Sequence, residues 1–154
     1  MANTYTQIYI QIVFAVKGRQ NLICKRNREE LHKFITGIVS NRNQKLFAIF
    51  AMPDHVHILV SIAPNIAISD LVRDIKAGSS KFINEKGWMK QKFNWQEGFG
   101  AFSYSKSSVD SVVKYILNQE EHHKKKAFKE EYLDFLQKFE IKYDPKYLFE
   151  WIEN

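Results

Sequence analysis

Residues 45–62 of the chain read KLFAIFAMPDHVHILVSI, and this stretch decides the fold. It contains two apolar runs, 45–52 and 55–62, which only Pro53 and Asp54 separate. Both of these residues favour turns, and so short a connection joins strands that lie side by side and run antiparallel. The stretch therefore predicts a β-hairpin.

Two elements precede the hairpin. Residues 5–16 alternate in hydrophobicity from Ile8 to Val16, which is the period of a β-strand. Farther along, Asn27 followed by Glu30 resembles the N-terminal cap of a helix, and an apolar stripe at helical spacing comes after it. This stripe, which predicts an amphipathic helix, consists of Leu31, Phe34, Ile35, Ile38 and Val39.

Helices and strands continue to alternate after the hairpin. A second helix is followed by a Trp-rich segment, 87–100, and a short strand around 101–105. Ser107 with Asp110 forms a capping-box pattern that opens a third helix, which we expect to run to about Lys125. The two helical stripes consist of Leu71, Val72, Ile75 and Phe82, and of Val109, Val112, Val113 and Ile116.

The chain ends in a further amphipathic helix and an aromatic tail. Their apolar residues are Tyr132, Phe135, Leu136 and Phe139, and then Phe149, Trp151 and Ile152. The complete order of elements is that of a ferredoxin-like split βαβ fold. We therefore predict an α+β protein with a four-stranded antiparallel sheet covered by helices, plus C-terminal helices. The 154 residues are predicted to form one domain, with its core at about 5–125 and a C-terminal helix and tail at 127–154.

The composition of the chain indicates which kinds of partner it can bind. The 23 lysines and arginines outnumber the 17 aspartates and glutamates, so the chain attracts polyanions such as nucleic acids or anionic membrane surfaces. No segment approaches the roughly 20 apolar residues that span a bilayer, and no signal-peptide pattern is present, so we expect a cytoplasmic protein. With Cys24 as the single cysteine, any metal must be held by histidine, amide or carboxylate groups.

His55 and His57 are the first chemical feature of the hairpin. At positions i and i+2 of a strand, both imidazoles project from the same face and can bind one cation, while Val56 points into the opposite layer. Polar packing near a strand end produces the same pattern. Alone, the two histidines leave both interpretations open.

Tyr115 and Gln119 form a second pair, on the third predicted helix. Their i, i+4 spacing stacks them on one face, which lies beside the apolar stripe and also carries Ser111 and His122. That face is available for chemistry, although a helical tyrosine is most often structural.

The segments MPDHVHILV, at 52–60, and KYILNQ, at 114–119, together resemble the HUH single-strand transposases of the insertion-sequence 200 and 605 family. The likeness covers roughly residues 5–125 and includes VFAVKGR at 13–19 and DLVRDIKAGSSK at 70–81. Its most specific element is the pairing of P-D-H-x-H with Y-x-x-x-Q.

This resemblance implies a chemical role for each of these residues. His55, His57 and Gln119 would be the protein ligands of a divalent cation, and their nitrogen and oxygen donors suit Mg²⁺ or Mn²⁺. Tyr115 would be the nucleophile that cuts DNA and forms a 5′-phosphotyrosine bond. The resemblance also implies that the substrate is single-stranded DNA with hairpin ends. It further implies a homodimer with composite active sites, in which Tyr115 meets the histidine pair of the partner.

Several other residues are weaker candidates. Phosphate contacts are predicted for Lys17, Arg19, Arg73, Lys76 and Lys81, although solvated surfaces explain these residues equally well. Core packing is expected for most of the rings of Trp88, Phe93, Trp95 and Phe99, which also resemble a surface for base stacking. We interpret His122 and His123 as part of a basic helix end, and Asp54 as a turn residue rather than a partner of His55.

Alternatives to a transposase remain at this point. A related enzyme would act on repetitive extragenic palindromes with the same chemistry. A non-catalytic module that binds single-stranded nucleic acid would need no metal. A His-ligated metal hydrolase would keep most of its activity without Tyr115, but no carboxylate base stands at a recognisable spacing.

Overall fold

The protein's structure is a computed structural model that describes residues 3–148. Its strands are β1 (Tyr9–Ala15), β2 (Lys45–Ala51), β3 (His55–Ser61) and β4 (Gly100–Tyr104). They form one antiparallel sheet in the order β2-β3-β1-β4. β2 and β3 are the predicted hairpin.

Five α-helices are present among the described residues. They are α1 (Arg28–Asn41), α2 (Ile68–Lys86), α3 (Val109–Leu117), α4 (Gln119–His123) and α5 (Phe128–Lys138). α1 connects β1 to β2, and α2 connects β3 to β4, as in the split βαβ arrangement. The predicted α+β, ferredoxin-like fold is therefore confirmed.

Helices cover both faces of the sheet, which explains why β1 is buried along its whole length. Ile12 and Phe14 of β1 and Val56 of β3 point toward α1 and α2 and form the main core. On the opposite face, α5 packs against Val13 and Ala15, and α3 packs beside it. The side chains of β3 that lie opposite to Val56 are therefore placed beneath α3 and α5.

The third predicted helix is broken, so the expectation of a single helix to Lys125 is wrong. α3 ends at Leu117 and α4 begins at Gln119. Between them Asn118 adopts φ −101° and ψ 22°, outside the helical region. Asparagine tolerates such positions because its side chain competes with the hydrogen bonds of a continuous helix. Gln119 therefore opens a new helix instead of continuing the helix of Tyr115.

Neither predicted cap forms a side-chain hydrogen bond. Asn27 is the N-cap residue of α1, and Ser108, not Ser107, is that of α3. A 3₁₀ turn runs directly into each helix, so both N-cap residues already have helical backbone angles. A capping side chain reaches the first turn from an extended residue. The hydroxyl of Ser107 lies instead 2.9 Å from that of Ser105.

The aromatic segment before β4 packs into the main core, as expected. Phe93 and Trp95 are buried and meet edge to face, with ring centroids 4.8 Å apart. The indole N–H of Trp95 donates to Ser79 Oγ at 2.8 Å. Trp88 and Phe99 are partly buried against the same core.

The predicted aromatic tail with Phe149, Trp151 and Ile152 lies outside the described residues. Over residues 3–148, no helix is both long and apolar enough to cross a membrane. The cytoplasmic location and the domain bounds stay predictions.

Candidate functional site

The histidine pair lies at the start of β3, on the face of the sheet that α5 covers. His55 and His57 have ring centroids 5.2 Å apart, and their exposed fractions are 1% and 0%. Val56 between them points into the main core, as predicted. The ring of Phe128, at the start of α5, stacks on His55 with 3.8 Å between the centroids. The two imidazoles thus share one face and are buried.

Each imidazole of the pair is held by a hydrogen bond from its Nδ1 atom. His55 Nδ1 donates to Asp54 Oδ1 at 2.7 Å, and His57 Nδ1 donates to Gln11 Oε1 at 2.8 Å. Arg19 binds the other carboxylate oxygen of Asp54 at 2.6 Å. The interpretation of Asp54 as a turn residue only is therefore wrong, because it also orients His55. With Nδ1 engaged, both rings present Nε2 to the rest of the site.

Electrostatics at this corner keep His55 neutral. Burial lowers the pKa of His55 to about 4, although the carboxylate of Asp54 opposes the shift. Burial raises the pKa of Asp54, but contacts with His55 and Arg19 outweigh it and bring the pKa to about 2. At neutral pH, His55 Nε2 therefore carries a lone pair. Among the described residues this atom has no hydrogen-bond partner.

A carboxylate that no sequence motif predicted lies at the centre of the site. Glu131 of α5 is 2% exposed, and its Oε1 lies 2.9 Å from His57 Nε2 and 3.8 Å from His55 Nε2. Burial raises the pKa of Glu131, but the charge of His57 and a hydrogen bond with His123 lower it more, so the carboxyl group is ionised. The feature of the sequence that could have identified Glu131 is its position. Glu131 stands on the apolar stripe of α5, three residues after Phe128.

His123 lies in the last turn of α4, as predicted for a basic helix end, but it also belongs to the site. Its Nε2 lies 3.3 Å from Glu131 Oε1, and its Nδ1 donates to the backbone oxygen of Lys126 at 2.8 Å. The donor atoms of His55, His57, His123 and Glu131 all lie within 4.8 Å of one another. A cluster of this size can hold one divalent metal ion.

Tyr115 lies on α3 at the edge of this cluster. Its hydroxyl donates to Glu131 Oε2 and lies 3.1 Å from His122 Nε2. Its ring centroid is 6.1 Å from that of His57 in the same chain. Burial raises the pKa of Tyr115, and the charge of Glu131 raises it further. The phenol is therefore protonated at neutral pH and hydrogen-bonded to a carboxylate.

Gln119 is fully buried between these groups. Its Oε1 lies 2.9 Å from His123 Nε2, and its Nε2 donates to Glu131 Oε2 at 3.2 Å. Arg28 of α1 binds Glu120 at 2.6 Å and so fixes the helix that Gln119 begins. The structure thus brings the predicted nucleophile and the three predicted metal ligands together within one chain.

A cavity of about 550 Å³ leads from solvent to Tyr115. Glu131 and His122, the two polar neighbours of the phenol, also line it. The remaining polar lining consists of Gln11, Tyr104, Ser103, Ser105, Ser108, Ser111, Lys126, Lys138 and Asp134, whose carboxylate binds Lys126. Hydroxyl and ammonium groups of this kind bind phosphate oxygens.

The predicted phosphate contacts lie in two places. They are Arg73, Lys76 and Lys81 on α2, and Lys17 and Arg19 after β1. α2 covers the face of the sheet opposite to α3 and α5. Lys76 donates to the backbone oxygens of Gln96 and Gly98, and Arg19 binds Asp54. Contacts of these residues with DNA stay predictions.

Solved structures share this fold. A protein of Deinococcus radiodurans R1 described as a candidate transposase superposes with a TM-score of 0.64 at 22% identity, over 77% of this chain and 95% of that one. A REP-associated tyrosine transposase bound to a REP hairpin gives a TM-score of 0.60 at 17% identity, over 80% of this chain and 73% of that one.

Sequence relatives and a family model point the same way. The ISDra2 transposase TnpA of Deinococcus radiodurans is 25% identical over 120 residues, which are 73% of this chain and 84% of the relative. The transposase for insertion sequence element IS200 of Salmonella typhimurium is 25% identical over 129 residues, or 80% of this chain and 84% of the relative. The family model described as Transposase IS200 like matches residues 4–119, which include the sheet and both motifs. The chain therefore belongs to the IS200-like transposase family, a family of DNA-processing enzymes.

Proposed function

We propose that the chain cuts and rejoins single-stranded DNA with hairpin ends, using Tyr115 as the nucleophile. A divalent cation, Mg²⁺ or Mn²⁺, would be bound by His55, His57 and Gln119. The observation that carries the proposal is the position of Tyr115, whose side chain lines a cavity of about 550 Å³ while its ring lies 6.1 Å from that of His57. Family membership supports the same chemistry.

The donor atoms fit such a cation. Nδ1 of each histidine of the pair is engaged by Asp54 or Gln11, so Nε2 is the ligand atom in both rings. His55 Nε2 is buried, neutral and without a partner among the described residues, which is the state that a metal ligand requires. When bound, the cation would hold a scissile phosphate oxygen and stabilise the negative charge that develops on it.

The transfer consists of two displacements at phosphorus. The Tyr115 oxygen attacks, a bond forms to the 5′-phosphate, and the bond to the preceding 3′-oxygen breaks. The phenolic proton has two acceptors within reach, Glu131 Oε2 and His122 Nε2, and the leaving 3′-oxygen takes up a proton as it departs. A 3′-hydroxyl then attacks the phosphotyrosine and loses its proton while the bond to the Tyr115 oxygen breaks and the phenol is protonated again, which restores the phosphodiester without ATP.

The surroundings of Tyr115 support a nucleic-acid strand as the substrate. Serine hydroxyls and the ammonium groups of Lys126 and Lys138 line the cavity, and the whole chain carries a net charge of +6. The hairpin in the structure of the REP-associated transposase supports hairpin-forming ends.

An adduct assay tests the nucleophile. Full-length protein incubated with a hairpin-ended single strand and Mn²⁺ should form a protein–DNA species that survives denaturing electrophoresis. Tyr115→Phe should abolish it, and EDTA should prevent it. Tyr104→Phe removes the other phenol of the cavity and should leave the adduct. An adduct that persists in Tyr115→Phe would refute the assignment.

Whether the site is completed within one chain is a separate question, and the homodimer with composite sites stays a prediction. The short distance between Tyr115 and its own chain's His57 supports completion within one chain. Mixing Tyr115→Phe with His57→Gln protein distinguishes a site that is completed within one chain from a composite site in a dimer. If each site is formed within one chain, the mixture stays inactive, whereas composite sites would restore adduct formation because one site of a mixed dimer keeps both residues.

A further inference from the structure

We infer that Glu131 and His123 are metal ligands, and that together with His55, His57 and Gln119 they form a site of three imidazoles, one carboxylate and one amide. The inference rests on the cation of the proposed function and adds two ligands from helices α4 and α5. Neither residue belongs to the P-D-H-x-H or the Y-x-x-x-Q motif. Their donor atoms nevertheless lie within 4.8 Å of those of the histidine pair.

All three imidazoles are oriented in the same way. The Nδ1 atoms of His55, His57 and His123 donate to Asp54, to Gln11 and to the backbone oxygen of Lys126, at 2.7, 2.8 and 2.8 Å. A histidine that binds a metal typically donates its second N–H to a carboxylate or carbonyl group, which fixes its tautomer. Three separate parts of the fold thus aim Nε2 atoms at Glu131.

The Nε2 atoms of His57 and His123 both face side-chain oxygens. His57 Nε2 lies 2.9 Å from Glu131 Oε1, and His123 Nε2 lies 2.9 Å from Gln119 Oε1 and 3.3 Å from Glu131 Oε1. One divalent ion can be shared by such nitrogen and oxygen donors. Because the carboxylate of Glu131 is buried, a bound cation would also compensate its charge.

The distances suit direct coordination. Ligand bonds of about 2.0–2.2 Å place neighbouring donor atoms about 3–4 Å apart around one ion. Glu131 Oε1 lies 2.9 Å from His57 Nε2, 3.3 Å from His123 Nε2 and 3.8 Å from His55 Nε2. His55 Nε2, buried and unpartnered within residues 3–148, is the atom that would gain its missing partner.

This ligand set also predicts which metal is preferred. Imidazoles favour first-row transition metals, whereas Mg²⁺ prefers oxygen ligands and retains its water. The chain should therefore bind Mn²⁺ more tightly than Mg²⁺. The carboxylate also ties α5 to the sheet, so cation binding should raise the melting temperature.

Calorimetric titration of the metal-free full-length protein with Mn²⁺ tests the two added ligands. Glu131→Gln and His123→Gln should each weaken binding by at least about 10-fold, the lower range for removing a partner of a metal site. Glu130→Gln makes the same change as Glu131→Gln at an exposed position of α5. This control should bind Mn²⁺ within about 2-fold of the unmodified chain.

A third variant, His57→Gln, separates this inference from the proposed function. If His57→Gln loses binding while Glu131→Gln and His123→Gln do not, the added ligands are refuted and the proposed cation site stands. Tyr115→Phe in the adduct assay tests the nucleophile separately, because it changes none of the inferred ligands. If a variant fails to fold, anomalous diffraction from Mn²⁺-soaked crystals of the unmodified chain decides the matter. A peak within about 2.0–2.3 Å of Glu131 and His123 supports the inference, and a peak held by other residues alone overturns it.

Discussion

His32 makes the stability of the hairpin sensitive to acid, and this sensitivity can be measured. The backbone N–H of Ala51, at the end of β2, donates to His32 Nε2 at 2.9 Å, and Arg28 donates to the carbonyl oxygen of the same residue at 2.7 Å. α1 therefore holds the strand end that leads through Pro53 to His55. Protonation of His32 would remove the acceptor and place a cation near Arg28.

The size of the effect follows from the pKa of His32. Burial lowers this pKa from 6.5 to about 4, with Glu29 opposing the shift and Arg28 adding to it. Between these two values the unfolded chain binds more protons than the folded chain, so stability rises with pH across the window and falls on acidification. The free energy of unfolding that is lost through protonation of His32 is about 2 kcal/mol at pH 5 and approaches about 3 kcal/mol well below pH 4.

The assay is urea unfolding in EDTA at pH 7.5 and pH 5, for the unmodified chain and for His32→Gln. Glutamine can still accept from Ala51 but does not titrate. The unmodified chain should lose about 2 kcal/mol more than the variant between the two pH values. His55, whose pKa is also about 4, titrates equally in both proteins and cancels in the difference. Parallel losses in the two proteins would refute the account.

Two further predictions concern the site and its substrate. Asp54→Asn removes the charge that holds His55 Nδ1, so Mn²⁺ affinity should fall by about 10–100-fold in a calorimetric titration, and an unchanged affinity would mean that the bond does not orient the ligand. Lys81 is exposed on α2, and if it contacts a phosphate, Lys81→Gln should reduce the slope of log affinity for single-stranded DNA against log salt concentration by about 0.7. An unchanged slope would place the DNA elsewhere.

The hairpin could be predicted because its signals are local. Two apolar runs and a Pro-Asp turn specify adjacent strands, and the period of a strand then determines that His55 and His57 share a face. The helix after β4 is harder to predict from the sequence. Its apolar stripe predicts a helix correctly, yet the break at Asn118 depends on a backbone conformation that many asparagines within helices do not adopt.

The carboxylate of the site could not be predicted from local sequence patterns. Glu131 is 74 positions from His57 along the chain, and only the packing of α5 on the sheet brings them together. Periodicity places Glu131 on the buried side of α5 but does not identify what that side contacts. A charged residue on an apolar stripe is nevertheless informative, because burial of a carboxylate requires compensating partners. In the structure these partners include the imidazoles of His57 and His123.

His55 explains why the histidine pair alone could not be interpreted. The sequence leaves polar packing and metal binding open as alternatives, yet this side chain has features of both. The flat face of its ring packs on Phe128, 3.8 Å between centroids, while its edge presents an unpartnered Nε2 toward Glu131. Stacking uses the π-face of an imidazole and coordination uses a lone pair in the ring plane, so the two do not compete. Packing on Phe128 restricts the ring, and the bond to Asp54 fixes which nitrogen faces the site. The interactions that bury the histidine thus also prepare it to bind a cation.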